Sequence, residues 1–432
     1  THRPTSRLPG FPMPRGRVVG GSSAVNTCIA LRGQPRDYDE WADHGVQGWS
    51  WDECLPAFRR LERDLDLPDS PHHGDSGPLP VRRHPVNELV PWQAAFLQAC
   101  ENAGMPACND TNAPGATGFG RHAMNKISGR RISAAEAWLT PEVRRREHLT
   151  IQPQTLVHRV RFAGDKVIGL DVEQDGEPAF IEADRVVLCA GVFGTLGILL
   201  RSGIGPKAEL DRLGVDLVRD VPAVGARLLD HPGCALFFRP TAAAGWDPLH
   251  PLIQAVCLLR EEGPHKNTLQ LQAGSIIPTK WGMIRGVSLM LSVCKPHSTG
   301  RVRFDSADPH ARPTITSNFY SDPRDLALAV EGLGFLSKLA DDSAMKPLGR
   351  GFYPTQFAAR REWLMRKWVP LACDSGYHPC GTVPMGQAVD HRGRVDGIEG
   401  LFVADASLFP TIPASNIHIP TLMVGERFGE WL

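Results

Sequence analysis

The middle of the chain carries the clearest strand pattern. Residues 155–162 and 166–172 are rich in β-branched and apolar side chains on either side of the turn Gly164-Asp165, which predicts a β-hairpin. Residues 185–191 contain a continuous apolar run, which is typical of a buried strand in a parallel sheet. The residues that follow, up to Arg201, predict a helix that starts directly after the strand.

Similar patterns occur before and after this region. Residues 51–64 and 91–104 have apolar positions at helical spacing, which predicts two amphipathic helices. Residues 287–294 alternate with a period of two, which predicts a strand with one face on the core, and 301–304 alternate again. Close to the C-terminus the pattern predicts a strand followed by a helix, at 400–405 and 421–432.

These elements predict an α/β protein, α+β overall, of two domains, because 432 residues exceed one ordinary core. The first domain is a discontinuous, Rossmann-like unit made of 1–60, 140–232 and 380–432. The second is a substrate-binding domain with helices and a mixed or antiparallel sheet, made of 61–139 and 233–379.

Composition narrows the class of protein. The chain has 47 Lys and Arg and 47 Asp and Glu, so its formal net charge is zero and nothing favours a nucleic-acid partner. No apolar run is long enough to span a bilayer, and no membrane partner is expected. None of the ten cysteines forms a C-x-x-C pair, which predicts free thiols in a reducing, cytoplasmic compartment and no metal site.

The segment from Tyr377 to Gly386 carries the most informative chemistry. His378 is followed by the turn Gly381-Thr382, and Asn416 comes downstream, just before an apolar run. An imidazole can remove the proton of an alcohol, and an amide can hold the alcohol oxygen. Neither can accept the hydride that leaves with that proton, so a redox cofactor is implied. A Cys/His nucleophile pair with Cys380 is disfavoured because a proline separates the two residues.

Glycines mark two further places. Gly20 and Gly21, followed by Ser22, let backbone N–H groups approach an anion or a flat ring closely. The spacing of Gly191, Gly194 and Gly197 resembles a dinucleotide-binding turn but is not G-x-G-x-x-G. Close packing of a helix on a strand, with a helix stop after it, explains these three glycines better.

Taken together, these segments resemble the glucose-methanol-choline family of FAD-dependent oxidoreductases. Two departures occur in the second of the family's signatures, where Val192 and Leu196 replace a small residue and a proline. The run from Arg36 to Trp51 resembles the bacterial alcohol oxidase and dehydrogenase branch, including hydroxymethylfurfural-oxidase-like and choline-dehydrogenase-like members. Four stretches carry the family resemblance: Gly16 to Asp39, Gly191 to Gly205, Val224 to Pro232 and residues 378–427.

The resemblance implies a mechanism and a catalytic pair. His378 would be the general base, and the substrate hydride would pass to flavin N5. Asn416 would donate a hydrogen bond to the alcohol oxygen. His418 would face the same way if this stretch were extended, and it ranks second.

The resemblance also implies the residues that bind FAD. Gly20, Gly21, Ser22 and Asn26 would touch the isoalloxazine side and the pyrophosphate, and the backbone of Val157 would meet adenine. The others would lie near the cofactor, with Asp405 also suited to cap a helix: Ala190, Asp405 and Ala406.

The family opens with a strand, a G-x-G-x-x-G turn and an acidic residue that binds ribose. The given sequence begins after that unit, so we expect at least one βαβ unit to be missing. Two alternatives to alcohol oxidation therefore stay open: a hydroxynitrile-lyase-like flavoprotein and a truncated, inactive remnant. The alcohol, the choice between O₂ and another electron acceptor, and the oligomeric state are left open by the sequence.

Overall fold

The computed structural model describes residues 2–5, 10, 13–259, 269–279 and 282–432. Helices and strands are interleaved along the described chain, as expected for a mixed α/β protein. The α-helices are Pro35–Asp43, Trp51–Leu61, Pro91–Asn102, Ala134–Trp138, Pro141–Arg144, Gly191–Arg201, Lys207–Leu213, Pro323–Ala340, Gln356–Ala359, Glu362–Ala372 and His418–Trp431. Short 3₁₀ helices are Gly21–Ala24, Val86–Glu88, Ala242–Ala244 and Ala406–Leu408.

A parallel strand pair joins distant parts of the chain. Val186–Leu188 pairs in parallel with Leu401–Val403, with Val187 opposite Phe402. The first strand leads into the helix Gly191–Arg201, as the sequence predicts. The second leads into the turn that holds Asp405. The carboxyl ends of both strands therefore meet at one edge, where ligands of open α/β sheets bind.

The predicted β-hairpin is confirmed. Thr155–Ala163 and Lys166–Gln174 are antiparallel, and Glu177–Glu182 adds a third strand. The register steps from Val157 opposite Val172 to Arg159 opposite Asp171, which makes a bulge. A bulge bends its strand and redirects a side chain.

The largest sheet is antiparallel throughout, and 287–293 lies inside it as the alternating pattern predicts. The alternate residues Val287, Leu289, Leu291 and Val293 are all buried. Packed against this sheet is the helix Pro323–Ala340. The strands in spatial order are Gly349–Tyr353, Pro232–Pro240, Val287–Val293, Leu269–Gly274, Ala255–Leu259 and Gly118–Arg121, and Asp374–Ser375 also pairs with Pro232–Pro240.

Smaller sheets connect the remaining segments. Arg301–Arg303 is a strand, as predicted, and joins Thr314–Thr316. The small sheets are His2–Arg3 with Thr314–Thr316 and Arg301–Arg303; Ile204–Gly205 with Arg219–Asp220; Ile277–Thr279 with Gly282–Ile284; Glu62–Asp64 with Leu79–Arg83 and Ala123–Met124; and Lys126–Ile127 with Arg130–Arg131.

The helix predicted over 51–64 is too long. A capping box of Ser50 and Glu53 starts it at Trp51, but it ends at Leu61 and Glu62–Asp64 form a strand. The local spacing of apolar residues predicts that the helix continues to 64, but residues 62–64 instead pair with another strand. Glu62 is buried, lies opposite Leu79 in the strand pair and forms an ion pair with the buried Arg32.

Two large cores are present in the described residues. One packs the parallel pair with the helices Gly191–Arg201 and His418–Trp431, and the other packs the antiparallel sheet with Pro323–Ala340. Gly197 lies against Phe304, where an added Cβ would come within 3.0 Å of the ring, so this glycine serves close packing. None of the described helices has the length and apolar character needed to cross a bilayer.

Candidate active site

The backbone around His378 is anchored to residues 229–231. The N–H of His378 donates to Oδ1 of Asp230 at 3.0 Å. Cys380 and Leu229 exchange backbone hydrogen bonds at 2.8 and 3.0 Å. These contacts fix the position of the His378 backbone, because both ends of the His378–Cys380 segment are hydrogen-bonded to the same extended stretch.

Asp230 holds the backbone of His231 and His378 in place through hydrogen bonds. It is buried, accepts the N–H groups of His231 and His378 on Oδ1, and accepts the hydroxyl of Ser375 on Oδ2. Burial raises the pKa of this carboxyl to about 6, although these hydrogen bonds and the nearby Arg15 oppose the rise.

A chain of hydrogen bonds fixes the orientation of the His378 ring. Nδ1 of His378 lies 2.9 Å from Nδ1 of His231, and Nε2 of His231 lies 3.1 Å from the carbonyl of Pro413. A carbonyl only accepts, so Nε2 of His231 carries the proton and its Nδ1 accepts. His378 must then donate from Nδ1, which leaves a lone pair on its Nε2. These tautomers are assigned from the network.

Asn416 is the last member of this chain of hydrogen bonds. Its Nδ2 lies 2.9 Å from Nε2 of His378, so the amide donates to the lone pair. Burial lowers the pKa of His378 well below the usual histidine value, and His231 and Arg15 lower it further. The ring is therefore neutral near pH 7 and is able to accept a proton at Nε2. The pair offers an acceptor and a donor side by side.

Gln270 holds the other end of Asn416. Its Nε2 donates to Oδ1 of Asn416 at 3.1 Å, and its side chain is buried. With its oxygen occupied, Asn416 can present only its amide hydrogens to Nε2 of His378. The strand Leu269–Gly274 of the antiparallel sheet therefore orients a residue that belongs to the C-terminal segment.

Replacing Gln270 by Leu is expected to lower kcat by about tenfold, because Asn416 loses the contact that fixes its amide. Steady-state kinetics on the holoenzyme measures this. Gln272→Leu is the matched control, since Gln272 lies on the same strand but contacts His122 at 3.0 Å. Equal losses in both variants would show general damage to the strand and contradict a role for Gln270 in orienting Asn416.

His418 does not have the geometry expected from an extended segment. The helix begins at His418, three residues earlier than predicted, so the alternation of an extended strand does not apply. Burial lowers the pKa of His418 to about 4. Among the described residues its Nε2 has no hydrogen-bond partner. His418 is therefore not part of the chain that orients His378.

The glycine turn lies in the loop that leads to the 3₁₀ helix Gly21–Ala24. Gly20 and Gly21 have φ angles of 94° and 55°, which favour glycine, and a Cβ on Gly21 would meet open space. Oγ of Ser22 accepts the N–H of Gly16 at 3.2 Å. The neighbouring Arg15 donates to the carbonyl of Tyr377 at 3.3 Å, so this loop is tied to the residue before His378.

Asn26 lies at the far end of the same loop. Its Oδ1 accepts from Nη1 of Arg131 at 2.6 Å and from the N–H of Cys28 at 3.0 Å. The oxygen is thus occupied by protein donors. We find Asn26 placed to shape the loop, and only its amide nitrogen is left to contact a ligand.

Asp405, Ala406 and Ala190 come together at the carboxyl edge of the parallel pair. Oδ2 of Asp405 accepts the N–H of Gly191 at 2.8 Å, and Oδ1 accepts the N–H of Ser407 at 2.8 Å. Asp405 therefore caps two helices, as the sequence allows. The carbonyl of Ala406 accepts the N–H of Gly381 at 3.0 Å, which connects this edge to the His378 segment. Ala190 is exposed at the start of its helix.

Val157 lies on the strand Thr155–Ala163, apart from the contacts above. Its carbonyl faces Nη2 of Arg201 at 3.4 Å, and the carbonyl of His158 accepts from Nε at 2.6 Å. Arg201 ends the helix Gly191–Arg201, so Val157 lies at the opposite end of that helix from Ala190. A ligand that touches both residues must extend along the helix.

Comparison with known proteins identifies the family. Models of the GMC oxidoreductase family match residues 6–233 and 296–425. The chain belongs to the GMC oxidoreductases. It is accordingly an FAD-dependent alcohol oxidoreductase, and its α/β fold class is confirmed.

Individual relatives cover nearly the whole chain. The 5-(hydroxymethyl)furfural oxidase of Methylovorus sp. (strain MP688) is 33% identical over 99% of this chain and 84% of that protein. The oxygen-dependent choline dehydrogenase of Photobacterium profundum is 32% identical over 96% of this chain and 79% of that protein. The crystal structure of pyridoxine 4-oxidase from Mesorbium loti superposes with a TM-score of 0.88 at 30% identity, covering 96% and 84% of the two chains.

The residues present fit FAD. Gly191 has a φ of 75° at the start of its helix, with open space where a Cβ would be, so a cofactor could approach its backbone closely, although its N–H is already donated to Asp405. Arg15 is partly buried, and among the described residues its Nε and Nη2 lack hydrogen-bond partners. Free donors on a cation suit an anionic group. The GMC oxidoreductase thus has open space at Gly191 and two guanidinium nitrogens without partners on Arg15, whose third nitrogen contacts the residue before His378.

Three residues of the site were missed by sequence reasoning. Asp230 and His231 lie in the stretch Val224 to Pro232, which the sequence marked only as a family resemblance, and Gln270 lies in a strand that was not singled out. The order of Asp230 and His231 just before a strand was the available signal for the first two. No local signal marks Gln270, because its contact with Asn416 spans 146 residues.

Proposed function

We propose that this enzyme oxidises a small primary or secondary alcohol to an aldehyde or ketone, with His378 as general base and Asn416 as the residue that holds the alcohol oxygen. The observation that carries the proposal is the hydrogen-bond chain from Pro413 to Asn416, because it leaves an unprotonated Nε2 on a neutral imidazole. A base needs this protonation state before substrate binds.

The alcohol hydroxyl would sit between the two side chains. It would donate its proton to Nε2 of His378 and accept a hydrogen bond from Nδ2 of Asn416, which lie 2.9 Å apart before substrate enters. When His378 accepts the proton, Nδ1 still donates to His231, so the ring does not need to turn. FAD, when bound, accepts the hydride from the carbon.

Binding of the cofactor would use the open backbone of the chain. Gly20, Gly21 and Ser22 would approach the isoalloxazine side and pyrophosphate, and Asn26 would shape that loop. Ala190, Asp405 and Ala406 would border the cofactor at the edge of the parallel pair. Val157 would meet the adenine through its backbone. The position of Val157 and Ala190 at opposite ends of one helix supports an extended cofactor.

We propose O₂ as the electron acceptor. The names of the relatives, a hydroxymethylfurfural oxidase, an oxygen-dependent choline dehydrogenase and a pyridoxine oxidase, support this choice. They also favour alcohols with a hydroxymethyl group as the substrate class. To bind, the hydroxyl would replace the hydrogen bond between Nδ2 of Asn416 and Nε2 of His378.

An alcohol panel tests the proposal. The purified holoenzyme is mixed with each alcohol without oxygen, and flavin absorbance is followed. Bleaching by at least one hydroxymethyl compound is expected, and admission of O₂ should restore the absorbance with formation of peroxide. Cleavage of a cyanohydrin without bleaching would instead favour a lyase. Bleaching that is restored by a dye but not by O₂ would exclude O₂ as acceptor.

A further inference from the structure

Two imidazoles and a carboxylate converge on the outer face of the three-stranded sheet. His158 lies on the strand Thr155–Ala163, Glu173 on Lys166–Gln174, and His310 in the loop before Thr314–Thr316. Their ligand atoms all lie within 4.8 Å of one another. In the part of the chain that the structure describes, no other group of three such residues meets this criterion.

The same oxygen of Glu173 faces both rings. Oε2 lies 3.4 Å from Nε2 of His158 and 2.9 Å from Nε2 of His310. Two ligand atoms on a tetrahedral Zn²⁺, each about 2.0–2.1 Å from the metal, lie roughly 3.3 Å apart. The two observed distances are therefore close to those of a metal site, and all three ligand atoms lie within 4.8 Å of one another.

The bulge in the hairpin contributes to this arrangement. Glu173 lies opposite Leu156, and His158 is the extra residue between Val157 and Arg159. In a regular register His158 would lie opposite Asp171, whereas the bulge leaves it between the positions opposite Val172 and Asp171. Bulges redirect side chains in this manner and are often found next to functional sites.

Hydrogen bonding alone does not account for all three groups. His310 makes a hydrogen bond to Glu173 at 2.9 Å. In contrast, Nε2 of His158 is buried and has no hydrogen-bond partner among the described residues, although it faces the same carboxylate. The His158 and His310 rings are nearly perpendicular, at 77°, with centroids 6.3 Å apart. A cation between the rings would bind this nitrogen more directly than the carboxylate at 3.4 Å does.

We propose that His158, Glu173 and His310 bind one divalent transition-metal ion, of which Zn²⁺ fits best. Imidazole nitrogens with one carboxylate suit this ion, and water would fill the remaining position. The side chains of His158, Glu173 and His310 are 28%, 24% and 56% exposed, so the ion can enter from solvent. None of the three belongs to the hydrogen-bond chain of His378.

The ion would join two parts of the fold. His158 and Glu173 belong to the hairpin, whereas His310 follows the strand Arg301–Arg303 by seven positions. A metal that binds the folded chain more tightly than the unfolded chain stabilises it by mass action. The site is therefore structural: it fastens the loop of His310 to the outer face of the hairpin.

Zinc titration of the holoenzyme tests the site. The protein is prepared without a histidine tag, treated with a chelator and titrated with Zn²⁺ by calorimetry, and the melting temperature is measured with and without Zn²⁺. One bound ion per chain and a higher melting temperature are expected. His158→Ala and His310→Ala should each weaken binding by at least about tenfold and abolish the shift.

The exposed His148→Ala is the matched control and should bind Zn²⁺ as the parent does. Flavin content and circular dichroism establish that each variant is folded. If His158→Ala fails to fold, His310→Ala still tests the site, because His310 lies in an exposed loop. Zinc binding that is unchanged in His310→Ala, or no stoichiometric binding by the parent, would overturn the proposal.

Discussion

His378→Ala is expected to lower kcat/KM by a factor of about 10² to 10⁴, because the base that removes the hydroxyl proton is lost. Flavin should remain bound, since His378 meets the substrate side through Nε2 and its other nitrogen contacts His231. Steady-state kinetics with the best alcohol of the panel and the flavin absorbance spectrum measure both quantities on the same preparation.

His148→Ala serves again as the control for loss of a histidine, and its kinetics should equal those of the parent. His418→Ala tests the second of the two histidines that the sequence offered as candidates for the base. Because His418 lies outside the hydrogen-bond chain, its variant should retain far more activity than His378→Ala. The reverse order would transfer the role of base from His378 to His418.

Asp230→Ala is expected to have the second largest effect. It removes the acceptor of two backbone N–H groups and of the Ser375 hydroxyl, all in a buried place. Each unsatisfied buried donor costs about 1–3 kcal/mol, so this variant should unfold roughly 3 kcal/mol more easily than Asp230→Asn. Its kcat should fall as well, because the backbone of His378 loses its anchor. Urea unfolding and kinetics measure these changes.

Asp230→Asn is the matched variant because it keeps an oxygen acceptor without the charge. Burial raises the pKa of Asp230 to about 6, so the charged form is disfavoured in the folded enzyme. That penalty is absent below the ordinary Asp pKa of 3.8 and fully present above about 6. Asp230→Asn should therefore be more stable than the parent at pH 8, and the difference should shrink as the pH falls. A constant difference would contradict the raised pKa.

Local pattern was sufficient for much of the fold. The hairpin, the strand at 287–293 and the strand that enters the helix Gly191–Arg201 follow from apolar spacing and turn residues, which act over a few positions. The predicted end of the helix that starts at Trp51 was wrong. Glu62, which follows the helix, contacts Arg32, 30 residues away in the chain, and local pattern does not report such a contact. The division into two domains stays a prediction.

The residues of the site also fall into those that local motifs reveal and those that only distant contacts reveal. His378 and Asn416 could be selected from their motifs, and the structure brings them within hydrogen-bond distance; their catalytic roles stay predictions. Gln270 and the cluster of His158, Glu173 and His310 could not be found, because each depends on contacts between segments far apart in the chain. Sequence motifs identify residue types, whereas protonation and orientation depend on such distant partners.

The pH dependence of flavin reduction tests the central claim most directly. The reduction rate is measured by rapid mixing without oxygen in the parent enzyme and in His378→Ala. Because burial lowers the pKa of His378, the parent rate should stay constant from about pH 9 down to about pH 6.5, the usual histidine value, and fall only at lower pH. His378→Ala should be far slower throughout. A variant that reduces flavin at the parent rate, or a parent rate that already falls above pH 6.5, would contradict a neutral His378 acting as base.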